Sequence, residues 1–195
     1  MLRAFIAIQL SAELKRQIAQ LQAQLKREAL EPPGMGWVRP EAIHLTLKFL
    51  GETEEALVPK LRSVLEAAVC SVRPFTLQAR GLGAFPTARR PHVLWIGLHG
   101  DPHAVEALGK MQSEVEQGAA ELGFAVEHRT FSPHLTLARV KDRRAGPACE
   151  KMLSSREHVA VGIIEVRSVE LIRSELNPKG SIYTTLVEVP LSDGV

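Results

Sequence analysis

Ala42-Ile43-His44-Leu45-Thr46-Leu47-Lys48-Phe49-Leu50-Gly51 and Ser132-Pro133-His134-Leu135-Thr136-Leu137-Ala138-Arg139-Val140 decide how the chain is read, because His-Leu-Thr-Leu stands in both. Each run is rich in strand-forming residues and bounded by turn formers, which predicts a strand. Successive side chains of a strand point to opposite faces. His44 and Thr46 then share one face, with Leu45, Leu47 and Phe49 on the other. His134 and Thr136 share a face opposite Leu135 and Leu137. The leucines can anchor each strand in a core while an imidazole and a hydroxyl are presented side by side. Two such strands facing each other would bring two histidines and two hydroxyls into one small space.

That grouping suits acid–base chemistry at a phosphate. Histidine is the side chain whose ordinary pKa lies closest to neutrality. One neutral imidazole can take a proton from an attacking hydroxyl or water, and one imidazolium can give a proton to a leaving oxygen. Threonine hydroxyls can donate to phosphoryl oxygens and stabilise charge that grows there. No metal is needed. A single His-Leu-Thr-Leu is ordinary strand sequence, and duplication for packing would explain the leucines. Duplication gives no reason to keep a polar His and Thr on the same face twice.

Outward from the motifs the chain reads as a repeat of elements. Residues 2–10 predict a strand, followed by a helix with Ser11 as cap and Leu14, Ile18, Leu21 and Leu25 at helical spacing. Pro32-Pro33-Gly34 should stop that helix. After the first motif strand, residues 53–72 predict a helix, in which Pro59 is awkward unless it lies in the first turn. Residues 74–85 predict an extended run with a glycine bulge or bend. Residues 86–91 read as an exposed basic loop. Then residues 93–98 predict a buried strand and 101–122 a helix capped by Asp101 with Pro102 at its first position. The second motif strand, a short helix over 145–155, and strands over 159–176 and 182–189 complete the chain, with Asn177-Pro178-Lys179-Gly180 as the last turn. The expected fold is α+β and bilobal. It has two pseudo-symmetric lobes, each a largely antiparallel sheet with helices on one side, and an active-site cleft between them. Residues 1–195 form a single domain in this reading, with a structural repeat over about 2–85 and 93–190.

Composition is that of an ordinary globular protein: 195 residues, 45% hydrophobic, 24% charged, net charge +2. Arginine outnumbers lysine, which favours bidentate phosphate contacts. The two cysteines, Cys70 and Cys149, read as reduced thiols, and the absence of a leader-like start makes a cytoplasmic location the expectation. No run has the length of a membrane span. No phosphate-binding Gly-rich loop is present, which disfavours ATP-driven ligation. The other histidines, His92, His99, His103, His128 and His158, lack metal-ligand spacing, so no metal and no cofactor is expected.

The motifs resemble those of the two-histidine phosphoesterases. The longer forms HLTLKFLG and HLTLAR, with RAFIAI at the start and WVRPEAIHLTL before the first motif, resemble the bacterial and archaeal RNA 2′,3′-cyclic phosphodiesterases, formerly called 2′-5′ RNA ligases. The resemblance runs from Arg3 to about Val189. It implies hydrolysis of a terminal 2′,3′-cyclic phosphate to a 2′-phosphomonoester. It implies His44 as proton donor at the leaving oxygen, which leaves His134 as proton acceptor. It also implies Arg139 on the substrate phosphate beside Thr46 and Thr136. On a regular strand Arg139 would lie opposite His134, so a twist or strand end would have to bring it round. Lys48, on the face of Thr46, is a further possible phosphate contact. Trp37, Phe131 and Tyr183 are candidate platforms for a base. Arg89, Arg90, Arg143 and Arg144 are candidates for a rim that follows RNA. The expected partners are RNA ends or nucleotides with a 2′,3′-cyclic phosphate, bound by a monomer. The rival readings are 2′-5′ RNA end joining at the same site and a non-catalytic RNA-binding module.

Overall fold

A computed structural model describes residues 1–29, 34–154, 156–177 and 180–192. The first strand, β1 (Leu2–Ile8), leads into helix α1 (Ala12–Ala29), whose first turn is capped by Ser11: its Oγ accepts from the Leu14 amide at 3.2 Å. Leu14, Ile18 and Leu25 form the buried stripe that the spacing predicts. A short strand, β2 (Met35–Trp37), is an element that the sequence pattern does not announce. A 3-10 turn over Pro40–Ala42 then delivers His44 to β3 (Leu45–Thr53). Helix α2 (Val58–Val69) takes Pro59 into its first turn, where the missing amide hydrogen costs no helical bond.

β4 (Phe75–Thr87) and β5 (Arg90–His99) form a tight hairpin. The run 86–91, expected as a loop, is mostly paired: Pro86 faces Pro91 and Thr87 faces Arg90. The bulge expected in the glycine-rich stretch lies between Ala79 and Leu82, where Gly81 has φ +74. Helix α3 (Pro102–Glu121) begins at Asp101, whose carboxylate accepts from the Ala104 amide at 2.8 Å. β6 (His134–Val140) carries the second motif, and α4 (Gly146–Leu153) follows. The run 159–176 is broken at Arg167 into β7 (Ala160–Val166) and β8 (Ser168–Asn177), and β9 (Gly180–Pro190) closes the chain. Pro32 and Pro33, the expected helix stop, lie outside the described residues. So do Pro178 and Lys179 of the expected last turn, and Ser155 at the expected end of the fourth helix.

The fold is α+β, as the element pattern predicts. All strand pairs are antiparallel, in the order β7-β4-β5-β6-β3-β1-β8-β9, with β2 on β6. The sheet has a seam at its centre. β3 and β6 meet through one residue pair, Leu45 and Leu135, whereas their outer neighbours pair along most of their length. Each half-sheet draws strands from both halves of the chain: β8 and β9 come back beside β1, and β4 crosses to lie beside β5. Helices α1 and α4 pack under the β4–β7 half, and α2 and α3 under the β1–β3–β8–β9 half. One continuous core joins all four helices to the underside of the sheet, with Leu45, Leu47, Leu135 and Leu137 at its centre. Burying side chains of this size stabilises by about 1.5–3 kcal/mol each, so the seam is fixed from below by four leucines. Among the described residues no α-helix covers the other face, and the polar members of the motifs stand there.

Candidate active site

The two motif strands share an irregularity that decides what faces where. Along β1 and β3, Ala7 pairs with Thr46 and the next pair is Ile6 with Lys48, which skips Leu47. Along β5 and β6, Trp95 pairs with Thr136 and the next pair is Leu94 with Ala138, which skips Leu137. Each is a β-bulge, one extra residue that resets the alternation of the strand. Three expectations are revised as a result. Lys48 does not share the face of Thr46. It is 5% exposed on the helix side, where Nζ donates to Glu116 Oε1 at 2.6 Å and to the Ala125 carbonyl at 2.9 Å. Phe49 does not join Leu45 and Leu47 in the core; it is 67% exposed on the open face. Arg139 needs neither twist nor strand end to share the face of His134 and Thr136, because the bulge puts it there. Gly36, its partner on β2, leaves the guanidinium uncovered.

The seam sets the two motifs against each other. β3 and β6 share only the Leu45–Leu135 pair, so His44 and Thr46 flank that pair on one strand and His134 and Thr136 flank it on the other. Each imidazole is held in the same way. Nδ1 of His44 lies 2.9 Å from the Ala42 carbonyl, and Nδ1 of His134 lies 2.7 Å from the Ser132 carbonyl. A carbonyl only accepts, so each Nδ1 carries a hydrogen. The neutral rings therefore keep Nε2 as the basic atom, fixed by the neighbouring backbone.

Aromatic rings wall the two sides differently. Phe5 stacks on His44 at 4.5 Å, and Tyr183 meets His44 edge-on at 5.4 Å. Phe85 meets His134 edge-on at 5.1 Å and leans on Trp95 at 5.2 Å. Burial in this setting pushes the His44 pKa down to about 4, with the charges of Lys15 and Arg139 acting in the same direction against the Ala42 hydrogen bond. His134 is pushed down too, by burial first and by the Arg139 charge. The Arg139 charge thus acts in the same direction on both rings. Lys15, near the start of α1, also holds Gln9 Oε1 at 3.4 Å.

Of the three aromatic residues singled out from the sequence, only Tyr183 lies at the histidines. Trp37 pairs with Ala138, which points into the core beyond the bulge. Its indole packs against the core, with Lys26 Nζ 5.4 Å from the ring. Phe131 also packs against the main core. Arg89, Arg90, Arg143 and Arg144 are all exposed, with Arg89 paired to Glu150 and Arg144 to Asp142. Sequence reasoning misses Phe5, Phe85, Trp95 and Lys15. The first three lie in strand-like runs and Lys15 reads as a solvated helical lysine; the pairing of β1 with β3, β4 with β5 and β5 with β6 brings the aromatic rings to the site. Among the described residues no group of three or more His, Cys, Asp or Glu is placed to hold a metal ion, and no helix is long and apolar enough to cross a membrane.

Two basic nitrogens, two hydroxyls and a guanidinium on one uncovered face can hold a phosphate ester and move protons on either side of it, which is the equipment of a phosphoesterase. The chain belongs to the LigT-like phosphoesterase family, whose model matches residues 8–95 and again 100–183, one stretch around each motif. It is 40% identical over 155 residues to an Aeropyrum pernix protein named RNA 2′,3′-cyclic phosphodiesterase, covering 80% of this chain and 85% of that one. A Methanothermobacter thermautotrophicus protein of the same name is 33% identical over 184 residues, covering 94% and 96%. Among solved structures, E. coli LigT complexed with 3′-AMP superposes with a TM-score of 0.72 at 26% identity over 98% of both chains. A Thermus thermophilus protein does so with a TM-score of 0.74 at 28% identity over 97% of both.

Proposed function

We propose that this protein hydrolyses RNA 2′,3′-cyclic phosphate ends to 2′-phosphomonoesters by metal-independent acid–base catalysis, acting as a cytoplasmic monomer. The observation that carries this reading is the shared open face: His44, Thr46, His134, Thr136 and Arg139 stand together about the Leu45–Leu135 pair. The names of the relatives supply the substrate class. In the reaction, water attacks phosphorus while His134 Nε2 takes its proton. The bond from phosphorus to O3′ breaks, and His44 Nε2 delivers a proton to that oxygen. An in-line displacement keeps attacking and leaving oxygens roughly opposite, so the proton acceptor and the proton donor must be separate groups, and the two histidines supply them. Thr46, Thr136 and Arg139 hold the phosphoryl oxygens and stabilise charge there, and Tyr183 offers a stacking surface beside His44.

The free site keeps His44 unprotonated at neutral pH. An anionic cyclic phosphate brought beside it favours the imidazolium, so His44 gains its proton as substrate binds. A module that only binds RNA has no use for two rings locked by their Nδ1 atoms with Nε2 free.

The test is incubation of the protein with nucleoside 2′,3′-cyclic phosphates in excess EDTA, with products separated against 2′- and 3′-monophosphate standards. Accumulation of the 2′ product in EDTA is expected. No product at all, exclusive 3′ product, or activity lost to chelation and restored by a divalent ion would each overturn the reading.

A further inference from the structure

Lys15 stands on the His44 flank of the site, and two sets of contacts bring it there. Helix α1 and the segment that leads to His44 run side by side in opposite directions. Lys26 Nζ lies 5.4 Å from the centre of the Trp37 ring, and one turn earlier Gln22 Nε2 donates to the Val38 carbonyl at 2.8 Å. Nearer its start the same helix comes level with His44, and Lys15 is there. The ammonium is also tied to the end of β1. Its Nζ donates to Gln9 Oε1 at 3.4 Å, and Gln9 follows Ile8, the strand partner of Leu45 next to His44.

This cation carries its charge uncompensated. Its neighbour Arg16 is engaged with Glu13, but among the described residues Lys15 forms no ion pair. Lys15 is half-buried, and Ser11 and Ala12 beside it are exposed, so an anion can approach from solvent. The charge is felt on one side of the site. Burial comes first in lowering the proton affinity of His44, and Lys15 adds to it together with Arg139; at His134, among the described residues, Arg139 is the charge that acts. A cation held beside His44 disfavours the imidazolium that must protonate the leaving oxygen, and an anion bound to the lysine offsets that effect.

We propose that Lys15 is a substrate-binding residue that takes the phosphodiester on the 5′ side of the terminal nucleotide, so that the enzyme prefers an RNA chain to a free nucleoside cyclic phosphate. This rests on the proposed function, which puts the leaving O3′, and with it the ribose, at His44. The 5′ carbon belongs to that same ribose, so the rest of the chain leaves the site on the flank where Lys15 stands. Thr46, Thr136 and Arg139 serve the reacting phosphate, and Lys15 meets the next one along. A phosphate contact carries no base information, so the preference is the same whatever the base.

The experiment compares kcat/KM for adenosine 2′,3′-cyclic phosphate with and without a 5′-phosphate, and repeats the pair with uridine, in the wild type, Lys15→Gln and Lys15→Arg. The 5′-phosphate should raise kcat/KM by roughly tenfold for both bases, the worth of a charge-assisted hydrogen bond, and added salt should shrink the gain. Lys15→Gln should bring the ratio to near one through KM, while Lys15→Arg keeps most of it. A wild-type ratio of one, or a ratio that depends on the base, overturns the assignment while leaving the hydrolysis intact. A ratio unchanged in Lys15→Gln, even with both rates reduced, overturns it too, since the lysine would then act on His44 and not on the chain. Wild type that hydrolyses neither form removes the underlying function, and the assignment with it. Should Lys15→Gln fail to fold, salt decides: a wild-type ratio that salt does not move overturns the assignment.

Discussion

Arg139 and Thr136 share one face of β6 although an odd number of positions separates them, because the bulge at Leu137 intervenes. The guanidinium therefore belongs to the same surface as both hydroxyls and lowers the proton affinity of both imidazoles. Arg139→Gln should accordingly do two things. It should raise KM and cut kcat/KM by roughly 10- to 100-fold for loss of the proposed charge-assisted phosphate contact. It should also raise the pKa of each histidine, read from the imidazole proton resonances of the free protein. Arg139→Lys should restore the pKa values better than the rate, since a point charge replaces a planar fork. Histidine titrations unmoved in Arg139→Gln would place the guanidinium elsewhere.

The proposed division of labour has a kinetic signature. His44→Ala and His134→Ala should each lower kcat by roughly 10²- to 10⁴-fold, the range of a general acid or base. A substrate whose leaving group needs no proton should rescue His44→Ala more than His134→Ala. Equal rescue, or rescue of His134→Ala alone, would reverse the assignment. The limbs of the pH–rate profile would describe the interacting pair and not either ring alone.

The lowered His44 pKa also enters stability. The folded chain holds this ring with a pKa of about 4 against an ordinary 6.5, so between those values the unfolded chain binds more protons. Stability then rises with pH through that window, is complete above pH 6.5, and is lost as pH falls toward 4. The contribution is at most about 3 kcal/mol. Thermal unfolding should show a falling midpoint from pH 6.5 to 4, and His44→Gln should flatten that slope. An unchanged slope in His44→Gln would mean that other groups set it.

Lys48 links the first motif to the approach of the second. Its Nζ bonds to the Ala125 carbonyl and to Glu116, whose carboxylate in turn accepts from the Glu127 amide at 2.9 Å. The segment so held runs on to Ser132, the residue that orients His134. Lys48→Met leaves Glu116 without its cation and should cost roughly 3 kcal/mol of stability. It should also lower kcat with little change in KM, because His134 loses its fixed approach while the phosphate contacts remain. Full activity at temperatures well below the new midpoint would limit Lys48 to a stabilising role.

The motifs, the α+β pattern and the helix caps at Ser11 and Asp101 are legible in the sequence because each rests on local chemistry. The sidedness of residues beyond each motif is not. Leu47-Lys48 and Leu137-Ala138 look like ordinary alternation, and a bulge leaves no mark when the extra residue is one more leucine. Alternation therefore puts Lys48 on the phosphate side and Phe49 in the core, and the structure reverses both. Trp37 misleads for a related reason: nearness to the motif in sequence carries it to the strand edge, but its register with Ala138 turns it inward. Phe5, Phe85 and Trp95 reach the histidines only through strand pairs between distant segments, and single-sequence periodicity cannot supply those.

The interleaving of strands has a consequence for how the protein comes into being. A chain cut in the β4–β5 hairpin would leave an amino-terminal piece lacking β8 and β9 beside β1, and a carboxy-terminal piece lacking β4 between β5 and β7. Neither piece could finish a sheet of its own, so each motif depends on residues supplied by the opposite end of the gene product. Contacts so remote in sequence form late and at a cost in folding rate. In exchange, a half-made molecule carries no working half-site: the two histidines acquire their geometry together, at the moment the whole chain closes.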